Sequence, residues 1–265
     1  MAGARASNAP DYGLDAPGVI RNLCLVGVLG AAIWATATFG LWSGQLNFSI
    51  GGIHFNFPLA NIAPWPALGC TLMALWMIWD SKVGKARTRE RLLDQITWTG
   101  SERVLDVGCG RGLMLIGAAR RLTTGTAVGI DLWHAEDLSG NRPDATLENA
   151  QREGVADRVT VQTADMQTLP FPDGAFDVVV SCSAIHNLSK PDARATAIRE
   201  IARVLKPGGQ AVIDDIRHLR EDAAAFTAHG CTARQTGSRV AAMCLAIVTM
   251  GSLRPGTLVV RKDAS

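Results

Sequence analysis

Three glycines and two acids carry the chemistry that this sequence is equipped for. Val104-Leu-Asp-Val-Gly-Cys-Gly-Arg-Gly112 reads as a buried strand running into a glycine turn, and Leu113–Leu122 reads as the helix that follows. A strand, turn and helix of this kind bring backbone close to a nucleotide, because glycine has no Cβ to block the ligand or forbid the turn's dihedrals. A second strand, Ala127–Asp131, ends in an acid. It lies roughly 20 residues further on, where a carboxylate takes the ribose hydroxyls. The glycine spacing is Gly-x-Gly-x-Gly, not the Gly-x-Gly-x-x-Gly that seats a pyrophosphate on a helix N-terminus. Asp106, inside the strand, would repel phosphate and suit an ammonium group. A ligand built from adenosine and an amino acid meets both demands.

From Glu102 to Gly112 the chain resembles motif I of the class I S-adenosylmethionine-dependent methyltransferases. Gly129–Asp131, Ala164–Met166, Phe176–Ser181 and Leu205–Gly209 follow in that family's order and spacing, so the resemblance covers about residues 102–215. It implies an α/β fold: a Rossmann-like, seven-stranded sheet with helices on both faces. It also implies S-adenosylmethionine as cofactor, held by Asp106, Gly108, Cys109, Gly110, Gly112, Asp131, Leu132, Trp133, Asp165, Met166 and Ser181. In the family, the acid at Asp165 accepts from the adenine amino group and Met166 offers a backbone N–H. Lys206–Gly209 would be the turn into a strand Gln210–Asp214, and Cys231–Gln235 with Gly256–Lys262 the antiparallel pair that closes the sheet.

After Ser181 the chain reads Cys-Ser-Ala-Ile-His-Asn187. It lacks the Asn/Asp-Pro-Pro-Tyr signature of methyltransferases that act on nucleic-acid amino groups, and is similar to the small-molecule group that includes quinone C-methyltransferases. His186 stands where a general base would take a proton from an attacking hydroxyl, thiol or carbon acid. A structural role is the competing reading of a lone histidine. Leu132–Pro143 inserts a loop bearing Trp133, His134, Asp137 and Asn141 beside the ribose acid, and a helix resumes at Ala145–Glu153. The indole either stacks on adenine or roofs the substrate, or packs under its own loop. Asp214, Asp215 and His218 are not expected to hold a metal, since adjacent residues on a strand point to opposite faces. The six cysteines contain no Cys-x-x-Cys, so neither zinc nor a disulfide framework is expected. Cys182 and Cys231 raise a thiol-based metalloid chemistry, with buried apolar thiols the preferred reading.

The elements around this machinery are unevenly composed. The chain has 265 residues, 48% hydrophobic, with a net charge of only +2, which argues against a nucleic-acid binder working through a basic surface. Between Asn22 and Trp79 there is no Asp, Glu, Lys or Arg. Asn22–Trp42 and Leu59–Trp79 each approach the ~20 residues needed to cross a bilayer as helix. Ser43–Pro58 reads as an exposed turn between them. Lys82, Lys85, Arg87, Arg89 and Arg91 follow, which by the positive-inside rule puts both termini and the catalytic domain in the cytoplasm. Residues 1–80 are therefore expected to form a membrane-anchoring hairpin and 81–265 the methyltransferase domain, able to bind cofactor without residues 1–80. A cleaved signal peptide starting near Arg21 and a buried core hairpin are the alternatives. Pro64 and Pro66 favour a distorted first turn or a helix starting at Ala67. Ser81–Gln95 reads as a basic amphipathic helix suited to anionic headgroups, and Val240–Met250 is unusually apolar for a connection between strands.

The expected function is that of an integral membrane methyltransferase with an apolar or lipid-like acceptor. Its expected partners are a small hydrophobic molecule, the bilayer and a second copy through the hairpin, and no nucleic acid. An anchored methyltransferase of small thiols, amines or metalloids, and a cofactor-binding scaffold without turnover, are the other classes.

Overall fold

The structure, a computed structural model, describes residues 9–264. The chain divides into two units: one holds residues 13–84 and 135–139, the other 9–12, 85–134 and 140–264.

In the first unit, α1 (Pro17–Thr38) opens on a proline, whose fixed φ and missing N–H suit the first helical position. The helix therefore takes in Arg21 and stops before the expected end at Trp42. Strands β1 (Leu46–Ile50) and β2 (Ile53–Phe57) form an antiparallel hairpin where a plain turn was expected. Gly51 and Gly52 turn it with φ of 59° and 81°, the twin positive φ of a two-residue hairpin loop. Phe48 stacks on Phe55 at 5.2 Å and on Phe57 at 5.7 Å. A short α2 (Leu59–Ile62) leads into α3 (Pro64–Trp79), which starts at Pro64 itself because a first-turn proline loses no helical hydrogen bond. A single π turn, Asp80–Gly84, ends the unit, so only the latter part of the expected basic helix is α-helical.

Helices α1 and α3 meet through small residues. A Cβ on Gly30 would lie 2.6 Å from that of Ala67, and one on Gly27 would lie 2.4 Å from the Thr71 hydroxyl. Small-residue contacts of this kind let helix backbones approach closely. Val28, Leu29, Trp34, Leu72 and Trp76 are left exposed. By length and composition alone, Pro17–Thr38 and the helical run Leu59–Leu93 are each sufficient to cross a membrane. The unit also captures a piece of distant chain. Ala16 donates its N–H to the Asp137 carbonyl (2.9 Å), Ser139 donates to Leu14 (3.0 Å), and Leu14 donates to the Ser139 hydroxyl (2.7 Å).

The second unit begins its regular structure with α4 (Lys85–Leu93) and is built on a seven-stranded sheet. Strands β3 (Arg103–Val107), β4 (Thr126–Asp131), β5 (Val159–Thr163), β6 (Phe176–Cys182) and β7 (Leu205–Asp215) run parallel, and β9 (Gly256–Lys262) pairs antiparallel with β7 and with β8 (Cys231–Thr236). The order β5-β4-β3-β6-β7-β9-β8 reverses direction between β3 and β6, and that switch point opens the ligand crevice of doubly wound sheets. Helices α5 (Leu113–Ala119), α6 (Pro143–Arg152), α7 (Pro191–Val204), α8 (Leu219–Ala228) and α9 (Arg239–Val248) connect the strands. Leu105 and Val107 pack with Ile198, Ile201 and Phe226 from α7 and α8, while Val104 packs on the other face with Leu92 of α4 and Leu115 of α5. This is the expected fold of the domain. Burial on both faces explains why Val178–Val180 of β6 read as a continuous apolar run. The Lys206–Gly209 segment is drawn into β7 as an irregular start, with a register shift opposite Phe176–Val178.

The expected boundary at residues 80 and 81 separates pieces that the structure joins. Tyr12 donates its hydroxyl to Glu153 (2.6 Å) and accepts from Arg89 (3.1 Å), and Arg89 also reaches Glu153 (3.1 Å). Asp11 exchanges backbone hydrogen bonds with the Asn149 amide and pairs with Arg111 at 3.2 Å. Against the cost of burial, the Tyr12 hydroxyl and Arg89 hold the Glu153 carboxyl below its ordinary range. A chain lacking residues 1–80 would thus lose two braces of α6 and of the glycine turn.

Candidate active site

The site is built where β3 ends. The Gly108 and Cys109 N–H groups both donate to the Ile130 carbonyl, at 2.9 and 3.0 Å, which clamps the turn to β4. Gly108 has φ +74°, and a Cβ there would sit 2.3 Å from that of Ala184 beyond β6. Only glycine lets the two carboxyl-end loops come this close. From outside, Thr146 donates to the Gly110 carbonyl (2.7 Å) and Asn149 to that of Arg111 (3.0 Å), so α6 fixes the turn's shape. Cys109 is buried beneath it, with its thiol pushed well up by burial and by the charges of Asp106 and Asp131.

Asp106 lies under the same turn. One of its oxygens accepts the Leu115 N–H at the start of α5 (2.8 Å), and the other has no partner. Burial, aided by Asp131 and opposed by the Leu115 bond, pushes its pKa up to about 8. Between the ordinary carboxylate range and about pH 8 the folded chain holds a proton that the unfolded chain releases, so this group lowers the free protein's stability as pH rises through that window. A ligand ammonium beside the orphaned oxygen would favour the charged form. Binding of S-adenosylhomocysteine near pH 7 is therefore expected to release protons. Calorimetry in buffers of different ionisation enthalpy reads this, and Asp106→Asn should remove the release.

Asp131 is the hub of the opposite wall. Its carboxylate accepts the Gly110 N–H (2.8 Å), the Trp133 N–H (2.6 Å) and the Asn141 amide (3.2 Å), so one acid ties the glycine turn to the inserted loop. Leu132 is exposed at the edge. Trp133 takes φ +63° and donates its indole N–H to Thr163 at the end of β5 (2.8 Å). The indole is thus tethered to the neighbouring strand. Asp165 accepts from the Gln167 backbone N–H (2.8 Å), and Met166 sits close to Gly108. Ser181 is placed differently: it is buried and donates its hydroxyl to the Val107 carbonyl (2.8 Å), underpinning the turn from below.

Beyond β6, a short 3₁₀ turn, Ile185–Asn187, carries His186. Its Nδ1 lies 2.6 Å from one Asp215 oxygen, and its backbone N–H donates to the other at 3.1 Å. Asp215 is buried, while the imidazole keeps partial access to solvent. A carboxylate on Nδ1 fixes the tautomer that leaves Nε2 free as a base, and steadies the ring once protonated. Sequence reasoning weighed Asp215 only as a metal ligand. The signal that could have found it is the adjacency of β6 and β7, whose carboxyl ends bring 186 and 215 together. Asp214 turns to Thr257 instead. Asp222 is buried nearby with one unpartnered oxygen, and burial with the Asp215 charge pushes its pKa up to about 7. The Cys182 thiol is pushed up by burial and by Asp214, which works against a thiolate nucleophile.

The fold just described is that of a class I, Rossmann-like methyltransferase domain. Residues 105–213 match the family model described as a methyltransferase domain. The chain is 32% identical over 170 residues to 27-O-demethylrifamycin SV methyltransferase of Amycolatopsis mediterranei, covering 62% of this chain and 58% of that protein. It is 34% identical over 128 residues to a ubiquinone/menaquinone biosynthesis C-methyltransferase of Geobacter sulfurreducens, covering 48% and 46%. It spans about half the length of such curated relatives. Among solved structures, a putative sarcosine dimethylglycine methyltransferase from Galdieria sulphuraria superposes with a TM-score of 0.53 at 19% identity, over 71% of this chain and 88% of the other. The chain carries an S-adenosylmethionine-dependent methyltransferase domain, and S-adenosylmethionine is its cofactor. The unpartnered Asp106 oxygen and the glycine cradle fit a ligand with an ammonium group and a ribose.

Proposed function

We propose that the protein is a membrane-anchored methyltransferase acting on an apolar or lipid-like small molecule, with His186 as general base. The His186–Asp215 pair carries this reading, because an oriented imidazole at the carboxyl edge of β6 is the equipment needed to deprotonate an acceptor. Asp106, Gly108, Gly110, Gly112 and Asp131 would hold the cofactor, with Leu132, Trp133, Asp165 and Met166 along the adenosine. Cys109 and Ser181 would act through the shape of the turn. When bound, the cofactor supplies a methyl group already activated on sulfonium sulfur. The chain's own residues would then align the acceptor, exclude water and move one proton to Nε2 of His186. Asp215 would stabilise the imidazolium that results.

Supporting the anchor are the two apolar helices, their small-residue contact and the basic residues that follow them. A reporter inserted at Gly51, in the β1–β2 turn, is expected to be labelled from outside the cell and one after Ser265 only after permeabilisation. Labelling of both from the same side would overturn the hairpin topology. The acceptor class draws support from likeness to proteins named for demethylrifamycin and for ubiquinone and menaquinone biosynthesis. Mass spectrometry of molecules copurifying with the full chain in neutral detergent tests it. An apolar molecule carrying a methylatable hydroxyl or carbon acid is expected, and a small polar amine or thiol would favour the second class.

A further inference from the structure

We propose that a cavity at the carboxyl end of β7, outside the cofactor cleft, binds an amphipathic anion: a carboxylate or phosphate on an alkyl chain. The cavity measures about 1070 Å³ and lies between the start of α8, the end of β8 and helix α9. Its volume is of the order that encloses a drug-sized molecule, ~300–1000 Å³. One side is cationic. Arg217, Arg220 and Arg254 line it, all three are exposed, and their guanidinium groups have no hydrogen bond or ion pair among the described residues. The nearby acid is already engaged, since Glu221 pairs with Arg194 at 2.6 Å and faces His218 at 3.5 Å. Three guanidinium groups lining a hollow whose one lining acid, Glu221, is held by Arg194 call for an anion, and guanidinium matches carboxylate and phosphate with paired hydrogen bonds.

The opposite side is apolar. Met243, Ala246, Ile247 and Met250 line the same cavity, and Met243, Ile247 and Met250 are 59%, 71% and 95% exposed. Apolar side chains so far out in water, on a connection between strands, mark a surface that something covers. Methionine suits a flexible alkyl chain because its side chain is unbranched and adaptable. Head and tail sites thus face each other across one concavity. The concave shape favours a single molecule laid in the hollow over a bilayer surface. This inference does not depend on the proposed reaction, and its test needs no turnover.

The full chain in zwitterionic nanodiscs is titrated with decyl phosphate, decanol and inorganic phosphate, each followed by calorimetry. Decyl phosphate is expected to bind one to one, at least ten-fold more tightly than either comparator. The pair R220Q/R254Q should remove at least ten-fold of that affinity, and I247D should weaken decyl phosphate while leaving inorganic phosphate unchanged. Binding of S-adenosylhomocysteine should be unaltered in all variants, which reports an intact fold. Equal affinity for decyl phosphate and decanol would overturn the proposal. So would unchanged binding in the arginine variant, or association only with nanodiscs that contain anionic lipid, which would make the face a membrane contact.

Discussion

Replacing His186 with alanine is expected to lower turnover by ~10²–10⁴ while cofactor affinity stays the same. The expectation follows from the Nδ1 contact with Asp215, which leaves only Nε2 to work on an acceptor. Asp215→Asn provides the sharper variant. It keeps the shape and a hydrogen bond, yet removes the charge that steadies the imidazolium and can turn the ring to the wrong tautomer. Turnover should fall in both variants. Single-turnover kinetics beside a cofactor titration separates the two contributions. Near-normal turnover in His186→Ala, or a loss explained entirely by weaker cofactor binding, would remove the base from the account.

Asp131→Ala is expected to weaken cofactor binding by roughly 2–4 kcal/mol, the scale of hydrogen bonds to a charged group. That is about 30- to 1000-fold in dissociation constant. The structure adds an indirect part to this effect. The same carboxylate holds the Gly110 and Trp133 N–H groups and the Asn141 amide, so its removal loosens both walls of the cleft. Asn141→Ala removes one of these ties and leaves the acid, and should cost much less. Comparable losses in the two variants would mean that loop order, rather than ribose recognition, governs affinity.

Most of the domain's fold was legible because its signals are local. Val104–Gly112 announces a buried strand and a turn by composition, and Cys231–Thr236 with Gly256–Lys262 closes the sheet where the sequence placed it. Gly110 of the glycine turn meets Asp131 through one hydrogen bond within the cleft. What escaped were relations between distant residues. Asp215 becomes His186's partner only because β6 and β7 are neighbours, and no spacing in the sequence states that. Tyr12 and Asp11 lie before the first apolar helix yet belong to the catalytic unit, through side-chain hydrogen bonds that carry no periodicity. The β1–β2 hairpin was readable, since Gly51-Gly52 stands between alternating apolar residues. The polar composition of Ser43–Pro58 concealed it. Ser181 lies at the ligand edge of its strand, and its inward bond to the Val107 carbonyl is likewise a relation that no spacing states.

Methyl transfer to an apolar acceptor is the reaction that the His186–Asp215 pair and the two apolar helices are proposed to serve. Its most direct test incubates membranes containing the full chain with S-adenosylmethionine labelled in the methyl group, then divides the products between organic solvent and water. Label is expected in a single organic-soluble species that His186→Ala membranes fail to form. Label confined to water-soluble thiols or amines, or organic label that persists in His186→Ala, would contradict it.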